Sequence, residues 1–367
     1  MSPDQQRNWI KLLVMRHNNS ERLLTYPRQF LILDILEIET SMRFNKIFSL
    51  GVGIVFSLRV AAQKPVEVRD TIDQYIFSYS ELDFLEDATG KLTIDQISSL
   101  AYQAQFKKNT VQHPSNTNKN STYWFRLKIK HNSHSKKTWL IEFFDQTIDH
   151  LEFYSPLPSG GFETTLLGDD FEFNKRKVRH KNFIVDLPMQ GDQEFTYYVK
   201  VKSQQKADMI IVLRSQGWLF QYALDEYFFF GIFYGMILVF SFYNLLMFIA
   251  VQERHYLYYI LYLVCVGLYQ MSADGIGFEY LWPQYPSFNY YAPGVFLYLA
   301  TSCALAFSGS VLDLRKKYAA FFRFFVGVFL FRSLFLLLSL TVFPSWFGFR
   351  FIEIIPFLAI YFVSIYF

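Results

Sequence analysis

TYWFRLKIK, residues 122–130, alternates with a period of two: Tyr123, Phe125, Leu127 and Ile129 share one face, and Trp124, Arg126, Lys128 and Lys130 the other. Successive side chains of an extended chain point to opposite faces, so this is a strand with one buried and one mostly wet face. The alternation recurs in WLIEFF (139–144), HLEFYS (150–155), HKNFIVDL (180–187), EFTYYVKVK (194–202) and ADMIIVLRS (207–215). The turn formers HNSHSKK, SPLPSGG, LPMQGDQ and SQQK separate these runs, a spacing that predicts antiparallel strands in a β-sandwich. Upstream, ELDFLEDATGKLTIDQISS (81–99) reads as an acidic lead-in, a turn at Thr89-Gly90 and a short helix from near Thr93, with no assigned place in the sandwich.

Overall composition, 52% hydrophobic and 18% charged, conceals a break. From Tyr227 to Phe367 there are only twelve lysines, arginines, aspartates and glutamates, so the second part is a membrane-embedded region and the first folds in water. Tyr227–Val251, Tyr256–Ala273, Pro293–Leu312 and Ala319–Phe343 are expected as four spanning helices, with a fifth beginning at Phe349. The fold class is therefore mixed: an exported all-β, jelly-roll-like sandwich over 63–220, then an all-α transmembrane helix bundle over 221–367.

Orientation follows from two separate sets of residues. MRFNKIFSLGVGIVFSLRVAAQ (42–63) has a basic start at Arg43 and Lys46, an apolar core from Ile47 to Leu58 and the small-residue site Val60-Ala61-Ala62. That is the grammar of a cleaved secretory signal over 42–62, too short to span about 30 Å of hydrocarbon, with the mature chain starting at Gln63. Residues 1–41 read as a start codon placed too early, or as a disordered extension. Arg254, Arg315, Lys316 and Lys317 fall in the expected inner loops, while the outer loop 272–292 has no lysine or arginine. The positive-inside rule then sets the sandwich outside. The expected location is a bacterial inner membrane, multi-pass, with residues 63–226 in the periplasm. The two cysteines, Cys265 and Cys303, lie in apolar segments, so the exported domain has no disulfide. A net charge of +3 gives no reason to expect nucleic acid.

Chemistry-bearing motifs are sparse. There is no nucleophile elbow, zinc-protease helix motif, P-loop or dinucleotide fingerprint, and no cofactor is implied. His131 and His134 have metal-like spacing but sit in a polar turn without a third ligand, and read as solvated loop residues. Trp124 and Arg126, an aromatic and a guanidinium on the outward strand face, are candidate ligand contacts for a sugar or other planar molecule; the alternative is that Trp124 packs under a neighbouring loop. Asp274 and Glu279 in the aromatic-rich outer loop are candidates to receive the sandwich or its ligand, whereas Trp282, Tyr285 and Tyr290 suit an interfacial aromatic belt. Asn244, Arg332 and Glu353 are polar residues within the membrane and, with Asp274 and Glu279, candidate relay positions. Arg332 and Glu353 either meet or snorkel independently.

The segment YFFFGIFYGMILVFSFYNLLMFIAVQERHYLYYILYLVCVGLYQMSADGIGFEYLWP (227–283) resembles the opening helices of bacterial seven-transmembrane receptors with diverse intracellular signalling modules, the 7TM-DISM family. The shared features are Gly231 and Gly235 ahead of Tyr243-Asn244-Leu245-Leu246, the tyrosine-rich second helix after Arg254, and Asp274-Gly275-Ile276-Gly277 leading to Tyr280-Leu281-Trp282. LEDATGKLTIDQISS (85–99), YWFRLKIKHNS (123–133), DHLEFYSP (149–156) and RHKNFIVDLP (179–188) resemble the family's type 2 extracellular domain. The resemblance implies a sensor, not an enzyme, that binds a small molecule or carbohydrate outside the cell. Seven helices would relay occupancy to a cytoplasmic signalling module. Here four helices and most of a fifth are present and no output module follows, which reads as a truncated frame or a fragment. A homodimer is left open, and a transporter or channel component with a sandwich cap is the alternative.

Overall fold

The computed structural model describes residues 63–78, 81–109, 114–188, 191–343, 346–347 and 353–366; the expected signal peptide lies outside them. All six alternating runs are strands. They are β5 (Thr122–Lys130), β6 (Trp139–Phe143), β7 (His150–Pro156), β9 (Phe183–Leu187), β10 (Glu194–Lys202) and β11 (Ile211–Ser215). Joining them are β1 (Val66–Glu67), β2 (Gln74–Ile76), β3 (Asp83–Asp87), β4 (Lys107–Lys108) and β8 (Phe162–Leu167). One sheet has the order β4-β3-β5-β10-β7-β8, with β1 pairing parallel to β5; the other runs β2-β11-β6-β9. Apart from β1 the pairings are antiparallel.

The main core fills the space between the sheets. Tyr123, Phe125, Leu127 and Ile129 of β5 meet Trp139, Ile141 and Phe143 of β6 and Ile211 and Leu213 of β11, as the period of two requires. His131 belongs to this dry region too: its Nε2 lies 2.7 Å from the Tyr197 hydroxyl and its ring centroid 4.4 Å from that of Phe195, so it is not a solvated loop residue. Burial pushes its imidazole down to about 4, leaving it neutral. His134 is exposed, 3.8 Å from Asp192.

The acidic lead-in also finds its place. DFLED is β3, and the segment after it folds back over the outer face of the first sheet as α1 (Ile94–Ser98) and α2 (Leu100–Gln103). Thr93 and Gln96 close a capping box at the start of α1, the Thr93 amide donating to Gln96 Oε1 at 3.0 Å. Ile97, Leu92, Tyr102 and Phe106 form a second core with Trp124, Tyr154 and Tyr198.

The membrane part begins without a linker. α3 (Gln216–Val251) starts at the residue after β11, with the Ser215 hydroxyl accepting from the Trp218 amide. It is followed by α4 (Arg254–Ala273), α5 (Ile276–Tyr280), α6 (Pro286–Val311), α7 (Leu314–Lys317), α8 (Ala319–Thr341) and α9 (Ile354–Tyr366). Among the described residues α3, α4, α6 and α8 are long and apolar enough to cross a membrane, and α9 is a shorter apolar helix. Two expected boundaries move. α3 starts eleven residues before Tyr227; its 36 residues span about 54 Å against about 30 Å of hydrocarbon, so its first turns stand clear of the lipid. α6 takes Pro286, not Pro293, in its first turn, and Pro293 lies inside the helix. A proline there frees one carbonyl, which membrane helices tolerate when neighbours satisfy it.

Candidate functional site: the junction of sandwich and membrane helices

The residues between β8 and β9 are dense in charge, DDFEFNKRKVRHK (169–181), and they land on the ends of the membrane helices. A short 3₁₀ turn, Phe173–Lys175, carries Phe173 into a small core with Phe278, Trp282, Ala292 and Phe296. The Phe173 amide donates to the Pro283 carbonyl at 2.9 Å, and Gln146 Nε2 donates to the Ala273 carbonyl at 2.8 Å. The Asn289 amide bridges the two parts: Nδ2 donates to Asp169 Oδ2 at 3.2 Å while Oδ1 accepts from Trp282 Nε1 at 3.0 Å. Gly275, with φ +79°, lets α5 approach closely, since a Cβ there would lie 3.3 Å from Gln146 Cγ and 3.4 Å from Lys181 Cβ.

Charges are paired across this contact. Lys181 Nζ lies 2.8 Å from Glu226 Oε1 of α3, and Tyr227 donates to Glu279 Oε2 at 2.5 Å. Arg176 donates through Nη1 to the carbonyls of His180 and Lys181, at 3.0 and 2.7 Å, with its guanidinium 4.4 Å from both the Phe173 and Phe183 rings. Burial lowers Arg176 to about 10 and His180 to about 4, so at neutral pH the first is a cation and the second is neutral. Asp169 is pushed up to about 8, mainly by burial and next by the Asp149 charge.

A second group of contacts ties the outer face of the β2-β11-β6-β9 sheet to the first turns of α3. Glu142, wholly buried, accepts from Arg214 Nε and from Asn182 Nδ2, the latter at 2.7 Å. Arg214 also donates to Gln74 Oε1 at 2.8 Å and lies 4.3 Å from the Trp218 ring and 4.7 Å from that of Tyr222. Leu140, Ile184 and Leu219 pack beside it. The sheet thus holds the start of the helix by shape as well as by charge.

The residues singled out in the sequence fall in three places. Glu279 is in the junction and buried, and Asp274, at the end of α4, accepts from Gln270 Nε2 at 2.7 Å. Trp282 is in the junction core and not in an interfacial belt. Arg332 and Glu353 meet: Arg332 Nη2 pairs with Glu353 Oε2 and donates to Thr301 Oγ1 and, at 3.2 Å, to the Tyr298 carbonyl. Asn244 donates to the Phe240 carbonyl of its own helix at 2.8 Å.

Trp124 and Arg126 are not an open platform. The α1–α2 segment covers that face, burying Trp124 completely against Tyr154, with ring centroids 5.5 Å apart. Arg126 is held by Asp83 Oδ2 and Gln103 Oε1, both at 2.5 Å, under Phe106. Truncating Trp124 to alanine opens a core cavity at a cost of about 3–5 kcal/mol, so that variant cannot isolate a binding role. The period of two placed both residues outward correctly; it carries no information on what covers a face.

Asp169, Arg176, Lys181, Glu226 and Asn289 were not singled out in the sequence. For Asp169, Arg176 and Lys181 the one visible signal is the charge-dense turn between β8 and β9, where solvation would be the default; Glu226 and Asn289 lie in α3 and α6 and carry no such signal. Among curated proteins no match is found. Residues 80–215 match the family described as 7TMR-DISM extracellular 2, and residues 226–367 match 7TM diverse intracellular signalling. The boundary between the two matches falls on the first turns of α3, where the charged contacts gather. The sandwich, the spanning helices and the two matches, over 80–215 and 226–367, lead to one assignment: the chain belongs to the 7TMR-DISM family of membrane receptors, with an extracellular sensing domain joined to a transmembrane region.

Proposed function

We propose that this chain is the sensing and membrane-spanning portion of a bacterial inner-membrane receptor, whose sandwich binds a small molecule or carbohydrate in the periplasm and passes occupancy to a cytoplasmic output module through the helices. The observation that carries this reading is the continuous path from β11 into α3, fastened on one side by Arg214, which Glu142 holds against the Trp218 and Tyr222 rings, and on the other by Lys181–Glu226. A sheet that shifts on binding has no slack to absorb the shift before it reaches the helix. Ligand then favours one bundle arrangement by no more than its difference in affinity between the two.

Orientation is supported by the distribution of cations. α3 leaves the sandwich, α4 returns to it at Ala273, and α6 leaves again at Asn289, so Arg254, Arg315, Lys316 and Lys317 gather at the end far from the sandwich. Protease added to intact spheroplasts is expected to cut within residues 63–226; complete protection would overturn the orientation. For function, the full chain in lipid nanodiscs is titrated calorimetrically with a panel of oligosaccharides. Saturable binding with the sugar recovered unchanged supports a receptor, and conversion of the sugar to product rejects it.

A further inference from the structure

We propose that the junction is itself a ligand site: a small zwitterionic amino acid binds between the sandwich and the membrane helices, its carboxylate on Arg176 and its ammonium on Asp169. The proposal rests on the receptor reading and deepens it, since it names a chemical class of small molecule and puts it against the helices that would carry the signal.

Arg176 is held ready for a carboxylate. A guanidinium has two flat faces and a rim of N–H donors. The faces are covered by the Phe173 and Phe183 rings, each 4.4 Å away. Among the described residues its hydrogen bonds all leave from Nη1, to the His180 and Lys181 carbonyls, and the buried Nε has no partner. The edge that remains, Nε with Nη2, is one that grips a carboxylate through two parallel N–H···O bonds. A buried donor left unmade carries its full desolvation penalty, and an anion on that edge recovers it.

Asp169 lines the same cavity as Arg176, about 80 Å³ in volume, with no hydrogen bond between the two side chains. Gly168 fixes its position: φ is +131° and a Cβ there would lie 2.1 Å from the Asp149 carbonyl oxygen, so the end of β8 crosses β7 with no side chain between them. Among the described residues the Asp169 carboxylate accepts only from Asn289 Nδ2, at 3.2 Å, so its hydrogen-bond partner is an amide and not a cation. α6 supplies a second acceptor. Pro293 has no N–H to give the Asn289 carbonyl four residues before it, and both residues line the cavity. An ammonium donates to Asp169 of the sandwich and to that carbonyl of α6 at once, and so ties the helix to the sheet.

The mixture of signs selects the ligand. An anion alone meets Asp169 as well as Arg176, a cation alone meets Arg176 and Lys181 as well as Asp169, and a neutral sugar compensates neither charge. A molecule carrying both charges answers both sides. At about 30 Å³ per water the cavity has the room of about two or three waters, which sets the size at glycine or alanine.

The full chain in nanodiscs is titrated calorimetrically with glycine, L-alanine, L-phenylalanine, acetate and methylammonium. Saturable binding of glycine or L-alanine is expected, with none of the other three. Arg176→Lys keeps the charge but loses the fork, and Asp169→Asn keeps the shape but loses the charge; each is expected to weaken that binding by about tenfold or more. If Arg176→Lys fails to fold, as thermal unfolding by circular dichroism would show, the nearly isosteric Asp169→Asn decides the matter. Absence of saturable binding of either amino acid by the wild type, which leaves water alone in the cavity, overturns the proposal. So does acetate binding as well as glycine, or an affinity unchanged in Asp169→Asn. Conversion of an oligosaccharide rejects the receptor reading, whereas failure of the amino acids to bind rejects this site alone, so the two failures are told apart.

Discussion

Among the described residues two arginines are buried against glutamates, Arg214 with Glu142 where the sandwich meets α3, and Arg332 with Glu353 among the membrane helices. In the junction the pair is satisfied on every side, by Asn182, Gln74 and two aromatic faces. In the membrane the pair draws on Thr301, Ser302 and the Tyr298 carbonyl and ring, yet leaves Arg332 Nε without a partner. A charge desolvated in a protein core and one desolvated in lipid carry a similar penalty, but the core surrounds the ion with fixed partners from several strands. A helix bundle offers mainly hydroxyls and the occasional carbonyl. The first arrangement suits a rigid coupling, and the second a contact that can re-form.

The comparison can be broken experimentally. Glu142→Ala has the largest expected effect, about 3–5 kcal/mol, because it strands a buried guanidinium; thermal unfolding of the full chain followed by circular dichroism measures it. Glu353→Ala acts by the same mechanism but leaves Arg332 its hydroxyl and carbonyl partners, so about 3 kcal/mol or less is expected in detergent unfolding. Arg332→Met combined with Glu353→Leu should recover most of that loss. If the double replacement unfolds as readily as Glu353→Ala, the difference drawn between the two pairs is wrong.

Smaller effects sharpen the picture. Lys181→Ala removes a buried charged hydrogen bond to Glu226 and is expected to weaken the junction by about 2 kcal/mol, read as faster trypsin cleavage of the full chain within residues 173–181. Asn244→Leu should change stability by no more than about 0.5 kcal/mol, since its amide serves only its own helix and faces outward. A larger effect would place Asn244 against a partner surface.

The sandwich was legible because alternation is a local property: β5 runs over the same nine residues that the pattern in TYWFRLKIK marks. β8 escaped because FETTLL has little apolar face to show, and two of its six residues are threonines. The spans were legible from length and lack of charge, but the start of α3 was not, since QGWLFQYALDE mixes charges with aromatics that belong to the junction and not to lipid. The site itself was the least legible part. Glu142 and Arg214 each occupy an outward position in an apolar strand, where water is the default neighbour, and only the tertiary approach of α3 turns them into a buried pair. Arg332 and Glu353 were visible as costly residues, but their meeting depends on where α9 begins.

The absence of any spacer between Ser215 and Gln216 has a consequence for how such chains tolerate insertion and deletion. Each residue added at that point would turn the whole of α3 by about 100° about its axis and lengthen it by about 1.5 Å. One extra residue would swing Trp218 and Glu226 away from Arg214 and Lys181, whereas a run of seven, close to two full turns, would bring the angular phase almost back. The sandwich and the first helix therefore share a rotational register, and twisting one about that axis is a torque on the other.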